Sequence, residues 1–210
     1  MELEKSKFWY LEQFNMMKKL SKDDMMYLKE AMTMKQISAD TMLYFPERAE
    51  KFIYFLKEGT VKIAHYTEDG QEDIKAIVGP GNIFGELGLV GGESPNDYAV
   101  AMEDCLICFI DVATMRDMME KNEALRTEIH KIMGLRIKRL ERRLESIIFK
   151  DSKTRILEFL EDFKHDYGKI KGEDIVAKNF LTHADMAKLT ATSRQTVTTV
   201  LNELRADGWI

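Results

Sequence analysis

The stretch that decides the fold is LTHADMAKLTATSRQTVTTVLNELRADGW, Leu181 to Trp209. It holds two short helical periods separated by a turn. Thr182 stands where an N-cap belongs, and Asp185 three residues later completes a capping-box-like pair. Met186, Ala187 and Leu189 form the inward side, with small Ala187 where two crossing helices would come closest. Thr190, Ala191 and Thr192 make the turn, Ser193 caps a second helix, and Gly208 ends it. On that second helix Val197, Val200, Leu201 and Leu204 share one apolar face.

The opposite face carries the chemistry. Gln195, Thr199 and Asn202 lie at i, i+4 and i+7, with Arg194 and Thr198 beside them. Arg pairs bidentately with guanine and Gln with adenine, while a Thr methyl meets the methyl of thymine. Short polar residues on the first turns of a helix fit a major groove, and the first amides suit a phosphate. An ordinary amphipathic surface helix would more often show Glu and Lys there. The candidate DNA-binding residues are Thr182, Ser193, Arg194, Gln195, Thr198, Thr199 and Asn202.

Upstream, Thr154 to Asp166 reads as a helix whose apolar face is Ile156, Leu157, Leu160 and Phe163, followed by a Gly-, Lys- and Glu-bearing loop. Lys150-Asp151-Ser152 ends a longer helix before it. From Val112 to Phe149 there is no Pro, and the only Gly is Gly134. Met133, Ile137, Leu140, Leu144 and Ile147 step by 4, 3, 4 and 3, the spacing of a coiled-coil seam. Arg136, Lys138, Arg139, Glu141, Arg142, Arg143 and Glu145 border it with charge. A helix of about 26 residues from Leu125 would be roughly 39 Å long. It could lie on its own barrel, but a narrow seam so sharply bordered favours a two-chain dimer.

Between residues 36 and 111 the period shortens to strands: FIYFLKEG, TVKIAHYTEDG, DIKAIVGPG and AVAMEDCLICFI, broken at Gly59, Asp69-Gly70, Gly79-Pro80-Gly81 and Gly91-Gly92. That spacing predicts an antiparallel barrel or sandwich, with Thr67–Gly70 as a hairpin turn. Residues 8–35 read as helical, with Ser21 as an N-cap before Lys22, Asp23 and Asp24.

Composition agrees with such a chain. At 210 residues, 45% apolar and 32% charged, it suits one large domain or two modest ones. A net charge of −5 excludes a surface that is basic all over, but not a local basic face. No apolar run is long enough to span a membrane, and the N-terminus lacks a secretory signal, so a cytoplasmic protein is expected. The two cysteines, Cys105 and Cys108, cannot supply the four ligands of an iron–sulfur cluster. Their offset of three on a strand points them to opposite faces. His65, on a hairpin strand, and His130, His165 and His183, on helices, read as surface side chains. No nucleophile elbow, Walker loop or clustered metal-ligand pattern appears, so no catalytic residue and no metal site is expected, and the chain does not read as an enzyme.

With these motifs in view, the chain resembles the family of bacterial transcription regulators that includes the cyclic AMP receptor protein and the fumarate and nitrate reduction regulator (Crp/Fnr). The likeness rests on GNIFGELGL at Gly81–Leu89, the long helix, and TSRQTV at Thr192–Val197. It implies an α+β protein: an antiparallel β-roll of the cyclic-nucleotide-binding type over residues 1–120, a long dimerisation helix over 121–150, and a winged helix-turn-helix over 151–210. The family's β-hairpin wing would begin at Ile210, so the wing is expected to be missing. The resemblance further implies a homodimer on a palindromic double-stranded DNA operator, with RNA polymerase as a further partner and no membrane. Arg194, Gln195 and Thr199 would sit where base and phosphate contacts are made.

Two departures stand out in the helix pair. Thr199 occupies a position that is basic in the cyclic AMP receptor. Ala191 replaces the usual turn glycine, at a cost of about 1 kcal/mol if its φ is positive.

The candidate effector pocket is Gly85, Glu86, Leu87, Asn96, Asp97, Leu140 and Glu141. In the family the GEL motif meets the ribose, an Arg-Ser pair holds the phosphate, and Thr and Ser on the long helix read the adenine. Here those last positions fall on Asn96, Asp97, Leu140 and Glu141, so the ribose part remains while the phosphate and base readers are gone. Glu86 is expected to bond local amides in a retained turn. No cofactor is expected, cyclic AMP is not expected to bind, and the identity of any other small effector stays open. The alternative is a cyclic-nucleotide-responsive regulator that uses non-standard pocket contacts.

Overall fold

The structure, a computed structural model, describes residues 20–45, 52–91, 96–172, 174–177 and 179–210. Helix α1 (Lys22–Ala31) starts where expected: the Ser21 hydroxyl accepts the Asp24 N–H at 3.1 Å. Its expected extent, 8–35, needs correction at the far end, and positions 8–19 lie outside the described residues. Met32 is already extended, and β1 (Thr33–Ile37) pairs residue for residue with the segment running from Phe109 back to Cys105. A distant strand thus takes the backbone bonds that local periodicity would have given to a helix.

The other strands of this part are β2 (Met42–Tyr44), β3 (Phe52–Glu58), β4 (Val61–Tyr66), β5 (Glu72–Val78), β6 (Ile83–Phe84), β7 (Asp97–Ala101) and β8 (Cys105–Asp111). They form two four-stranded sheets, ordered β1-β8-β3-β6 and β2-β7-β4-β5. At the expected hairpin turn the Thr67 N–H reaches the Gln71 carbonyl at 2.8 Å. Two helices come next, α2 (Val112–Lys121) and α3 (Glu123–Phe149).

Strand period two divides the core. One side of β3, Ile53 and Phe55, packs with Met25, Leu28, Cys108, Ile110, Met115, Met118, Leu125 and Ile129. The other side, Tyr54 and Leu56, packs with Val61, Ile63, Phe84, Ala99, Cys105 and Ile107. Each such side chain contributes roughly 1.5–3 kcal/mol when fully buried. Cys105 and Cys108 therefore lie in different cores, as their offset predicts, and both are free thiols.

The chain divides into two compact units, the first built from most of the two four-stranded sheets and the helices as far as Arg136, the second from Ile137 to Ile210 together with Asp73–Lys75. Helix α3 runs through that division without a break at Gly134.

The second unit opens with α4 (Ser152–Tyr167), capped by Asp151, whose carboxylate accepts the Thr154 N–H at 2.9 Å. That N–H and the Thr154 hydroxyl hold the Asp151 carboxyl below its usual range. In place of the expected loop, α4 leads into a hairpin, β9 (Gly168–Lys171) with β10 (Asp174–Ala177). Its strands are too short for hydrophobic alternation to show in a Gly- and Lys-rich stretch. Phe159, Phe163, Tyr167 and Phe180 form an aromatic cluster, with Phe163 and Phe180 ring centres 5.1 Å apart. Helices α5 (His183–Leu189) and α6 (Arg194–Ala206) complete the unit around Ile156, Leu181, Met186, Ala187, Val197, Val200 and Leu201.

Candidate DNA interface and sensor pocket

Both caps of the helix pair form as the sequence predicts. The Thr182 hydroxyl accepts the Asp185 N–H at 3.1 Å, and the Asp185 carboxylate accepts the Thr182 N–H at 2.9 Å. Ser193 accepts the Thr196 N–H at 3.0 Å. Between them Ala191 adopts φ +50°, so the turn carries the left-handed strain expected for a residue in the place of a glycine, about 1 kcal/mol.

That strained turn is held by a residue the sequence reading passed over. Arg155 on α4 donates from Nε to the Thr190 carbonyl and from Nη2 to the Ala191 carbonyl, both at 2.9 Å. Its Nη1 donates to the Lys150 carbonyl at 2.7 Å. One guanidinium so binds the turn and the residue that closes α3. No local sequence signal marks it, because its three shortest bonds are to backbone oxygens, with only a longer one, 3.4 Å, to the Ser152 hydroxyl.

On α6 the expected ridge is solvent-facing: Ser193, Arg194, Gln195, Thr199 and Asn202 are all exposed, while Val197, Val200 and Leu201 are buried. The Thr199 hydroxyl donates to the Gln195 carbonyl at 3.1 Å, and Arg205 donates to the Asn202 side-chain oxygen at 3.1 Å. Thr198 is half-buried. Its hydroxyl donates to the Arg194 carbonyl at 2.9 Å and lies 2.9 Å from His183 Nδ1. Thr182, His183, Ala184 and Arg194 line a concavity of about 480 Å³ beside the ridge. His183, read from sequence as a surface side chain, is half-buried and engaged here.

In the first unit, the GEL segment forms a 3₁₀ turn, Glu86–Val90, entered through Gly85 at φ +83°. A Cβ at Gly85 would overlap the Phe52 carbonyl oxygen, so only glycine fits there. Arg116 on α2 donates to the carbonyls of Gly88 and Leu89 and holds the turn from outside.

Glu86 departs from expectation. It is 1% exposed and bonds no local amide; Oε1 is paired with the Arg136 guanidinium on α3, and Oε2 is buried with no hydrogen-bond partner. A buried carboxylate needs a cation, and fifty residues of intervening chain hide which one. Arg136 read from sequence only as a charged border of the seam.

Leu87 is partly exposed. Asn96 is exposed in a turn, and Asp97 is buried at the start of β7, opposite His65 on β4. Leu140 and Glu141 are exposed on α3 beyond Arg136. Of the seam residues, Met133 packs partly against the first core, while Ile137, Leu140, Leu144 and Ile147 face solvent.

Among the described residues, no group of three or more His, Cys, Asp or Glu side chains converges as a metal site. No described helix is long and apolar enough to cross a membrane.

Comparison with known proteins matches these parts one by one. Residues 34–122 match the model of the cyclic nucleotide-binding domain, and residues 154–210 match that of the Crp-like helix-turn-helix domain. The chain is 25% identical over 158 residues to the CRP-like cAMP-activated global transcriptional regulator of Mycobacterium tuberculosis, covering 75% of this chain and 70% of that protein. It is 26% identical over 163 residues to a global nitrogen regulator of Nostoc, covering 77% and 73%. Among solved structures, FixK2 from Bradyrhizobium japonicum has the same fold, with a TM-score of 0.74 at 18% identity over 84% of this chain and 86% of that one. With the two domain types in family order and relatives that are transcription regulators rather than enzymes, the chain belongs to the Crp/Fnr family of DNA-binding transcription regulators.

Proposed function

We propose that the chain acts as a homodimer that reads a two-fold symmetric operator through Arg194, Gln195, Thr199 and Asn202, and that its sensor pocket does not take cyclic AMP. The observation that carries the reading is the exposed ridge of α6, whose polar side chains no packing requirement explains. Thr182 and Ser193 stand at the two helix starts, where phosphates are held, and Thr198 flanks the ridge. The dimer is supported by α3. Ile137, Leu140, Leu144 and Ile147 are 42–59% exposed in the single chain, an apolar stripe at the spacing of a two-stranded seam. The family likeness adds RNA polymerase as a partner once the operator is bound.

Replacing Arg194 or Gln195 by Ala is expected to cost about 1–3 kcal/mol of operator affinity and to relax preference at one position per half-site. Selection from a random duplex library followed by gel shift measures both. Equal loss on every sequence would show that these side chains touch only phosphate.

Against cyclic AMP stand the charges. Without a cation at Asn96 or Asp97, a buried phosphate loses about 2–5 kcal/mol. A carboxylate at about 4 Å adds repulsion of roughly 4 kcal/mol at an effective dielectric of 20. Half of that sum weakens binding by two orders of magnitude or more.

One observation favours the second reading, a cyclic nucleotide held by unfamiliar contacts: the Glu86 Oε2 is buried with no partner and would accept a ligand hydroxyl. Thermal shift separates the two. A true ligand at about 100 times its Kd adds roughly 2.7 kcal/mol, several degrees of Tm for a chain of this size. Millimolar cyclic AMP or cyclic GMP is expected to give no rise, and a clear rise at micromolar ligand would establish the second reading instead.

A further inference from the structure

We infer that Arg205 sets Asn202 as a hydrogen-bond donor toward the duplex, so that the far end of the α6 ridge selects guanine and rejects adenine. The inference deepens the ridge reading under the proposed function and rests on it. An asparagine amide is by itself ambiguous. Its oxygen accepts and its nitrogen donates, and with both turned outward it pairs bidentately with adenine N6 and N7. What it reads depends on what already holds one end of it.

Here the holding group is chemically one-sided. Arg205 Nη1 lies 3.1 Å from Asn202 Oδ1, one turn further along α6. A guanidinium carries five N–H donors and no acceptor, so the amide atom that it meets must be the oxygen. Little competes for the contact. Both side chains are exposed, and the neighbouring Glu203 carboxylate is engaged by Lys153 at 2.7 Å. Arg205 also stands in the last turn of α6, where helix carbonyls favour a cation.

Asn202 Nδ2 and the remaining guanidinium N–H groups then present donors side by side. Guanine offers two acceptors, O6 and N7, on its major-groove edge. Adenine offers one acceptor and one amino group, and that amino group would meet a donor with a donor. Asn202 is seven residues beyond Gln195, roughly 10 Å along the helix, so it meets a base pair of its own. Arg205 is a positioning residue for that contact.

The test selects duplexes from a random library with the full chain and its variants, then compares single-base changes by gel shift. The wild-type consensus is expected to hold guanine in one column per half-site that Asn202→Ala erases, with adenine there binding roughly tenfold more weakly. Arg205→Ala frees the amide to turn, and the column is expected to admit adenine as well. Arg205→Lys keeps a partner that only donates, so guanine is expected to stay preferred, a rescue that a merely structural role would not give. Replacing that guanine by 7-deazaguanine, which lacks the N7 acceptor, is expected to weaken wild type and to leave Asn202→Ala unchanged.

Adenine in the column that Asn202→Ala erases would overturn the inference and leave the ridge reading standing. So would an unchanged column in Arg205→Ala, or a column untouched by Asn202→Ala while Arg194→Ala relaxes its own. If neither Asn202→Ala nor Arg194→Ala nor Gln195→Ala relaxes any column, the ridge reading itself falls, and the role of Arg205 falls with it.

Discussion

With Leu140 and Leu144 both changed to glutamate, the chain is expected to sediment as a monomer and to lose two or more orders of magnitude in operator affinity. Both side chains stand 58–59% exposed on α3, so neither supports the fold of the single chain. In a seam each would give up most of that exposure, and a fully buried leucine is worth roughly 1.5–3 kcal/mol. Four of them per dimer, partly buried already, put the loss near 4 kcal/mol. Facing carboxylates in a closing interface add several more through repulsion and desolvation, so assembly weakens by at least about four orders of magnitude.

The DNA effect comes from linkage of two half-sites. A joined pair of modules gains roughly 10²–10⁴ over one alone, and that gain vanishes with the dimer. Circular dichroism should register almost nothing, since exposed substitutions usually shift stability by no more than about 0.5 kcal/mol. A variant that remains dimeric would move the interface elsewhere on the molecule.

The second large effect belongs to Arg155. Its replacement by Ala is expected to destabilise the DNA-binding unit by about 3 kcal/mol, since hydrogen bonds to charged groups contribute roughly 1.5–3 kcal/mol each and three carbonyls lose their donor. Some of that is recovered as water reaches the carbonyls of half-buried Lys150 and exposed Ala191, while Thr190 is buried. At about 2–4 °C per kcal/mol, Tm should fall by roughly 6–12 °C. Arg155→Lys keeps the charge but not the fork, and should recover only part of the loss.

DNA affinity should drop in both variants even where the unit stays folded, because Ala191 at φ +50° has lost the donor that holds its turn closed. Differential scanning calorimetry and gel shift read the two effects separately. Unchanged melting would mean that water serves these oxygens as well as the guanidinium does.

What was legible in the sequence is what is local. Ser21, Thr182 and Ser193 announce their caps because an N-cap acts on an amide three residues away. Cys105 and Cys108 part company because strand alternation is rigid. The αL turn at Ala191 was legible from the family's glycine, and the solvent-facing apolar stripe of α3 from its spacing alone.

What was not legible depends on partners far along the chain. Helix α1 stops at Ala31 because Thr33 meets Phe109. Strands β9 and β10 are four residues each, and only their pairing, Ile170 opposite Ile175, distinguishes them from a loop. Glu86 finds Arg136 rather than neighbouring amides, and the grip of Arg155 is on main-chain oxygens that every residue possesses. In each case the decisive contact joins groups whose types are common and whose separation carries no period.

The hydroxyl of Thr199 has a consequence for the operator. Its proton is committed to the carbonyl of Gln195, so in the proposed reading that side chain would meet a base edge with its methyl group and an oxygen that can only accept. At such a position a helix weighs the presence of a pyrimidine C5 substituent more than the pattern of donors around it. If Thr199 reads a base as proposed, 5-methylcytosine and thymine would be close synonyms to it, and uracil a blank.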